Sequence, residues 1–390
     1  MRPRSLVSAL AVLGLAAGLS TQSAQAEMAK GEPVRLPHLT TFSGPAANWG
    51  ETMLKAAQIA ADMINEEGGV HGRPLEFYAA DAPYDRMPEA MTMVKKVARD
   101  PSVLVIFDCG GATTVVAAAH DPAGKAGIPC FGFSSAGYWR KPGFNPYVFR
   151  LLPQVYTAMP VLMPKVFKKH NVKKVAVAYT HNDEAPAANA QHYLRMLEER
   201  DIPYITVTGM LKEPEYRAQV TKIKAEDVDL VMVSMQPSDA GFFVRQLRED
   251  EVDAPILAGI GITDKHFTEF AKDEIGVAYT FGIYDPTDPR PYVQDFIKRF
   301  TAETGKTPGP FEAIAGDAAF ITAKVMNAAK ELTRESIREA WSQTKGVDTF
   351  TGRVSWEGSG EAIREQVLEQ MYDPSGKLIN IPENYWSAGS

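Results

Sequence analysis

Residues 34–50 read VRLPHLTTFSGPAANWG, the pattern of a strand that feeds a helix through a tight turn. Val34–Leu39 is the strand and Ser43-Gly44-Pro45 the turn. Trp49 stands at the mouth of a helix predicted over Glu51–Asn65, where Met53, Ala57, Ala60 and Ile64 recur at helical spacing before Gly68-Gly69 ends it. Such a junction puts Trp49 beside the carboxyl edge of a parallel sheet, where α/β proteins bind small molecules.

The alternation continues. Leu75–Ala80 is a strand, and a helix opens at Met87-Pro88 and carries Met91, Val94 and Val97. Val103–Phe107 is wholly apolar, as a strand covered on both faces requires. A helix opens at Gly110-Gly111, and Ile128–Phe133 is the next strand. Around Arg150–Pro153 the chain leaves this first unit. A second α/β run follows, with strands at Val175–Tyr179, Tyr204–Thr208, Leu230–Ser234, Ile256–Gly259 and Val277–Ile283 between helices. Tyr284–Pro291 reads as a crossover. Helices Tyr292–Thr304 and Glu312–Glu331 return to the first unit, and Phe350–Trp356 is a strand that crosses again.

The first 26 residues read as a cleavable signal peptide. Arg2 and Arg4 form a positive start, Leu6 to Leu19 an apolar run, and Ala24-Gln25-Ala26 a small-residue cleavage site. A secreted, soluble, periplasmic protein is the expectation. Loss of those two arginines takes the formal charge from −7 to −9, which argues against nucleic-acid binding. The 390-residue chain, less those 26, exceeds a usual single domain, so two lobes are expected. Cys109 and Cys130, the two cysteines, exclude a disulfide scaffold; they either pair with each other or serve as small buried apolar groups.

Several motifs occur in an order that resembles the Leu/Ile/Val-binding (type I) periplasmic binding proteins that feed ABC importers. They are Ser43-Gly44-Pro45 with Trp49-Gly50, then Asn65-Glu66-Glu67-Gly68-Gly69-Val70 and Gly72-Arg73-Pro74-Leu75. Gly127-Ile128-Pro129 leads into Phe133-Ser134-Ser135-Ala136, and Gly309-Pro310-Phe311 precedes Thr351-Gly352-Arg353-Val354-Ser355-Trp356. The resemblance spans the mature chain. It implies a type I periplasmic binding protein fold, two doubly wound α/β lobes joined by a multi-strand hinge. Residues 27–152 and 284–353 would form lobe one, and 153–283 and 354–390 lobe two.

In that family the first lobe holds a ligand carboxylate at a helix N-terminus and a nearby loop. The matching positions are Gly110, Gly111 and Thr113, then Ser134, Ser135 and Ala136. The residue types suit the task, because glycines at a helix start let backbone N–H groups approach an anion with the helix dipole behind them. Taken singly they are a tight turn and an ordinary cap. Hydroxyls of Thr113, Ser134 and Ser135 would add charge-assisted bonds of roughly 1.5–3 kcal/mol each. Trp49 and Phe311 match aromatic-lined positions of the cleft.

The second lobe departs from the pattern. The family presents a Tyr near Glu184-Ala185, another near Gln236-Pro237, and a carboxylate for the ligand's ammonium near Ile260. Here Gly259-Ile260-Gly261 stands at the last of these. A buried ammonium needs a partner. Either Asp183, Glu184 or Asp239 replaces it, or the ligand lacks an ammonium; the second is the reading adopted. The expected ligand set is Trp49, Gly110, Gly111, Thr113, Ser134, Ser135, Ala136, Glu184, Ala185, Gln236, Ile260 and Phe311. The expected ligand is an amino acid or a small or aromatic carboxylate, with an amide also suited to the cleft.

Other signals carry less. Gly259-Ile260-Gly261 lacks the third glycine of a dinucleotide loop, and Gly132-Phe133-Ser134-Ser135-Ala136 lacks the closing glycine of a nucleophile elbow. The seven histidines show no metal-binding spacing. The expectation is therefore a monomeric binding protein, not an enzyme, needing no cofactor or metal, with an inner-membrane ABC permease as the partner implied by the resemblance. A ligand sensor reporting to a separate receptor and, further off, a secreted hydrolase are the rival readings.

Overall fold

The computed structural model describes residues 27–44, 47–83, 86–107, 122, 124–133, 146–213, 215–356, 358 and 360–387, with the backbone alone at Glu184. The signal-peptide segment, Cys109 and the helix expected at Gly110-Gly111 lie outside these residues. Cys130 is disulfide-bonded.

Two sheets organise the chain. In the first, β1 (Val34–Thr40) and β2 (Leu75–Asp81) pair in parallel, with Val34 opposite Leu75. On the other side of β1, His38 bridges to Phe107 and Ile106 to Cys130, leading to β3 (Cys130–Gly132) and β4 (Val148–Arg150), again parallel. The strand expected at Val103–Phe107 is thus reduced to two paired residues. Its side chains Val103, Val105, Ile106 and Phe107 are nonetheless buried, as an apolar run between two covered faces demands.

Helix α1 (Ala47–Glu66) follows β1, and α2 (Met87–Arg99) follows β2 with Pro88 in its first turn, where the missing N–H costs nothing. After α1, Gly69 takes φ +67°, and a Cβ there would sit 2.2 Å from the Arg73 carbonyl oxygen, so only glycine fits. The buried face of α1 is rich in alanine, Ala56, Ala57, Ala60 and Ala61, which lets a later helix approach closely.

The chain then enters α3 (Val155–His170), a continuous helix with Pro160 and Pro164 inside it, and builds the second sheet. Its strands are β5 (Val175–Thr180), β6 (Tyr204–Gly209), β7 (Leu230–Ser234), β8 (Ile256–Ala258) and β9 (Ala278–Gly282), parallel in the order β9-β8-β7-β5-β6. Between them lie α4 (Glu184–Glu198), α5 (Arg217–Ala225), α6 (Pro237–Glu249), a 3-10 turn at Ile260–Thr263 and α7 (Lys265–Ala271).

Helices α8 (Pro291–Thr304) and α9 (Pro310–Ala328) return to the first sheet; α9 packs against α1, and its Ala315, Ala318 and Ala319 are buried. Helix α10 (Arg334–Ser342) was not expected from sequence; its Trp341 stacks on Phe149 at 4.9 Å and meets Phe131 at 4.5 Å. The strand expected over Phe350–Trp356 is instead a hairpin. β10 (Val347–Thr349) turns at Phe350-Thr351 into β11 (Gly352–Ser355), and β12 (Ile363–Arg364) adds to it. The indole N–H of the buried Trp356 donates to the Arg150 carbonyl at 3.0 Å.

Finally β13 (Leu368–Tyr372) and β14 (Leu378–Asn380) add antiparallel to the second sheet beside β9. Three chain segments therefore pass between the two sheets: β4 to α3, β9 to α8, and β12 to β13. No helix among the described residues is long and apolar enough to cross a membrane.

Candidate functional site

Most candidates among the described residues follow the carboxyl ends of parallel strands; Phe311 opens a helix that follows another helix. Trp49 lies in the first turn of α1, partly buried, with its ring 6.2 Å from that of Phe311 in an edge-to-face arrangement. Phe311 follows Pro310 at the start of α9, where Glu312 accepts the Gly309 N–H at 3.1 Å and caps the helix. Two helix N-termini thus present one aromatic each to a shared spot. The carbonyl of Trp49 accepts the Thr52 hydroxyl at 3.0 Å.

The approach of α1 to β1 depends on Gly50. A Cβ there would meet the Thr41 carbonyl oxygen at 2.1 Å, so the glycine sets where Trp49 sits. The loop between them is tied down at two points. The Phe42 N–H donates to Asp81 at 2.8 Å, and Arg86 donates to the Ser43 hydroxyl. Asp81 and Arg86 were not singled out from sequence; a lone carboxylate at a strand end carries no periodic signal.

Gly110, Gly111, Thr113, Ser134, Ser135 and Ala136 all lie outside the described residues. The second-sheet candidates lie within them. Ala185 is in the first turn of α4, Gln236 caps α6, and Ile260 opens the 3-10 turn after β8, buried at 4% exposure. These are the ends of β5, β7 and β8, three neighbours in one sheet. Glu184 begins α4.

Around Ile260 the backbone is held firmly. The Thr263 hydroxyl donates to the Ile260 carbonyl at 2.8 Å, and the Tyr372 hydroxyl reaches across from β13 to the Ile262 carbonyl at 2.7 Å. Ile260 itself packs into the apolar core.

Two carboxylates stand at the starts of α4 and α6. Asp183 accepts a 2.6 Å hydrogen bond from the Gln236 side-chain amide. Asp239, on the first turn of α6 and almost fully buried, accepts the Lys212 N–H at 3.1 Å. Burial pushes the Asp183 carboxyl up, against the lowering effect of Gln236. Burial also pushes Asp239 up, and the charges of Asp183 and Glu213 add to it. Among the described residues no group of three or more His, Cys, Asp or Glu side chains is placed to hold a metal ion.

A family model described as periplasmic binding protein matches residues 33–372. The chain belongs to that family. As a periplasmic binding protein it is similar along nearly its whole length to a Pseudomonas aeruginosa relative named amino acid binding protein, at 27% identity over 97% of this chain and 98% of the other. A second relative from the same organism is named leucine-, isoleucine-, valine-, threonine-, and alanine-binding protein; it is 23% identical over 82% of this chain and 84% of its own. The fold matches a leucine binding protein from Thermotoga maritima with TM-score 0.80 and 18% identity, covering 89% of this chain and 97% of that one. It also matches a branched-chain amino acid transporter substrate binding protein from Streptococcus pneumoniae in complex with isoleucine, with TM-score 0.75 and 23% identity over 90% and 98% of the two chains. The type I fold expected from the motifs is therefore the fold of this periplasmic binding protein.

Proposed function

We propose that this periplasmic binding protein is the solute receptor of an ABC importer and traps a small carboxylate with an apolar body. The Trp49–Phe311 pair at two helix N-termini is the observation that carries this reading. Aromatic faces suit an apolar body, and helix N-termini suit an anion. Gly110, Gly111, Thr113, Ser134, Ser135 and Ala136 would hold the carboxylate, with Ala185, Gln236, Ile260 and the backbone at Glu184 closing from the other side.

The two sheets serve as lobes, 27–152 with 284–353 and 153–283 with 354–390. The ligand docks on the first, and the second swings over it about the three connecting segments. Closure is a population shift driven by contacts made only when both lobes touch the ligand. The protein works as a periplasmic monomer after signal-peptide removal, performs no chemistry on its ligand, and delivers it to an inner-membrane permease.

Ile260 supports a ligand without an ammonium, since an apolar residue stands where the resemblance implies a carboxylate. A second reading, an α-amino acid whose ammonium meets Asp183, is favoured by the relatives' names. A thermal-shift panel of amino acids, aliphatic and aromatic carboxylates, and amides separates the two. At a free concentration 100 times Kd, a true ligand adds about 2.7 kcal/mol of stability. Stabilisation by carboxylates lacking an amine is expected; a response to α-amino acids alone overturns the first reading. Recovery of a chemically altered ligand would point to an enzyme.

A further inference from the structure

The segment that passes from β4 to α3 is held unevenly along its length. On its first-sheet side the backbone is fixed at both Arg150 and Leu151. The Arg150 N–H donates to the Gly360 carbonyl at 2.8 Å, and the Arg150 carbonyl accepts the Trp356 indole N–H at 3.0 Å. The Leu151 N–H donates to the Gly132 carbonyl at 3.3 Å, and the Leu151 carbonyl accepts from Arg364 Nε at 3.1 Å. Arg364 is itself seated on Thr351, donating through Nη1 to the carbonyl at 3.1 Å and to the hydroxyl at 2.9 Å. Leu152 and Pro153 follow, and a proline has no N–H to be held. The bend between the sheets therefore falls between Leu151 and Gln154, the cap of α3.

One carboxylate spans that bend. Glu361 lies on the connection from β11 to β13, just before β12, which pairs with β11 on the first-sheet side. Its Oε2 is 3.1 Å from Arg150 Nε and also accepts from the side-chain amide of Gln154. Arg150 ends β4 and Gln154 caps α3, so the same oxygen holds residues on either side of the bend. Arg150 and Gln154 are 1% and 4% exposed, so water competes little for either contact. A cavity of about 480 Å³ opens beside α3 here, lined by Gln154, Glu361, Leu162 and Phe281 among others. Close-packed interiors resist displacement, and an unfilled space leaves α3 room to turn against the segment that carries Glu361.

We propose that Glu361 is a positioning residue for ligand capture, a latch that holds the hinge in the bend of this structure through Gln154. The latch rests on the swing of the second sheet proposed above. A hydrogen bond weakens steeply as its length and angle leave the optimum, so this one is made at one bend and lost at others. A bond to a charged group moves a two-state balance by about tenfold, and apparent affinity follows the fraction of molecules competent to bind. Glu361 thereby tunes affinity from the hinge without touching the ligand.

Spin labels at Glu51→Cys on α1 and Glu269→Cys on α7, both exposed positions, report the distance between the sheets by pulsed electron paramagnetic resonance on the full mature chain. Without ligand, Gln154→Leu should shift or broaden that distance while far-UV circular dichroism stays unchanged, since the pairing of Arg150 with Glu361 is kept. Glu361→Gln retains an oxygen for Gln154 to donate to and should restore the wild-type distance. Glu361→Ala should behave as Gln154→Leu does; it leaves the buried Arg150 without its counter-charge, and if it does not fold, Gln154→Leu carries the test. Benzoate and L-leucine are then titrated. For a probe that binds the wild type, Gln154→Leu should change Kd at least threefold, weaker if the ligand-free distance has grown and tighter if it has shrunk. The saturated distance should match the wild type. Ligand-free distances identical in Gln154→Leu and wild type overturn the latch, whether or not a probe binds, and so does a changed Kd with unchanged distances. Shifted distances with neither probe binding the wild type uphold the latch and count against the ligand proposed for the cleft.

Discussion

The side chains of Asp183 and Gln236, 53 residues apart in sequence, meet at 2.6 Å and tie the loop after β5 to the cap of α6. The bond engages one of the carboxylates that the amino-acid reading would need for a ligand's ammonium. Asp183→Asn preserves an oxygen acceptor for Gln236 and removes only the charge. Affinity for an amine-free carboxylate should then stay within about threefold or tighten, measured by calorimetry. A loss of about 10- to 100-fold, the value of a charge-assisted bond, would assign Asp183 to an ammonium.

Trp49→Ala removes an aromatic that is only partly buried, so the fold should survive while the proposed cleft loses one wall. Roughly tenfold weaker ligand binding is expected, in line with about 1–1.5 kcal/mol for a lost aromatic contact. Urea unfolding followed by circular dichroism provides the control. A collapse of stability without a separate binding defect would show Trp49 to be core.

Gly50→Ala tests how α1 is seated. The new Cβ meets the Thr41 carbonyl oxygen, which is backbone and cannot rotate away, so the helix must shift. A loss of about 1–3 kcal/mol is expected from denaturant unfolding, with ligand affinity falling as Trp49 is displaced. Wild-type stability would mean that the approach is looser than the geometry requires.

Asp317 gives the protein a pH signature. It is fully buried on α9, accepts the Thr351 N–H at 3.2 Å and the Thr351 hydroxyl, and burial pushes its pKa up to about 6 despite nearby Arg364. The unfolded chain loses this proton near pH 4. Between pH 4 and 6 the folded state therefore holds more protons, and this group's contribution to stability falls as pH rises, by on the order of 3 kcal/mol across the window. Asp317→Asn should flatten the decline in Tm measured from pH 4 to 6.5. An unchanged slope would place the titration elsewhere.

Much of the fold was legible because local physics writes itself into local sequence. The apolar runs at Val175–Thr180 and Leu230–Ser234 have no polar alternation, as parallel strands buried on both faces must. The α1 stripe and its glycine stop follow from helical periodicity. β13 and β14 escaped notice because Leu368–Tyr372 has mixed polarity at the sheet's antiparallel end. The hairpin at Val347–Ser355 was only partly legible, as a strand over Phe350–Trp356, because its Phe350-Thr351 turn is short.

Read alone, the sequence determined the alternating α/β plan, the two-sheet division and the aromatic at the mouth of α1, since each depends on residues near in the chain. Tertiary structure alone decided that Asp183 meets Gln236, that Arg364 spans Leu151 and Thr351, and that a cavity opens beside α3. Those contacts depend on how separate segments are brought together, and spacing along the chain carries no record of distance across it.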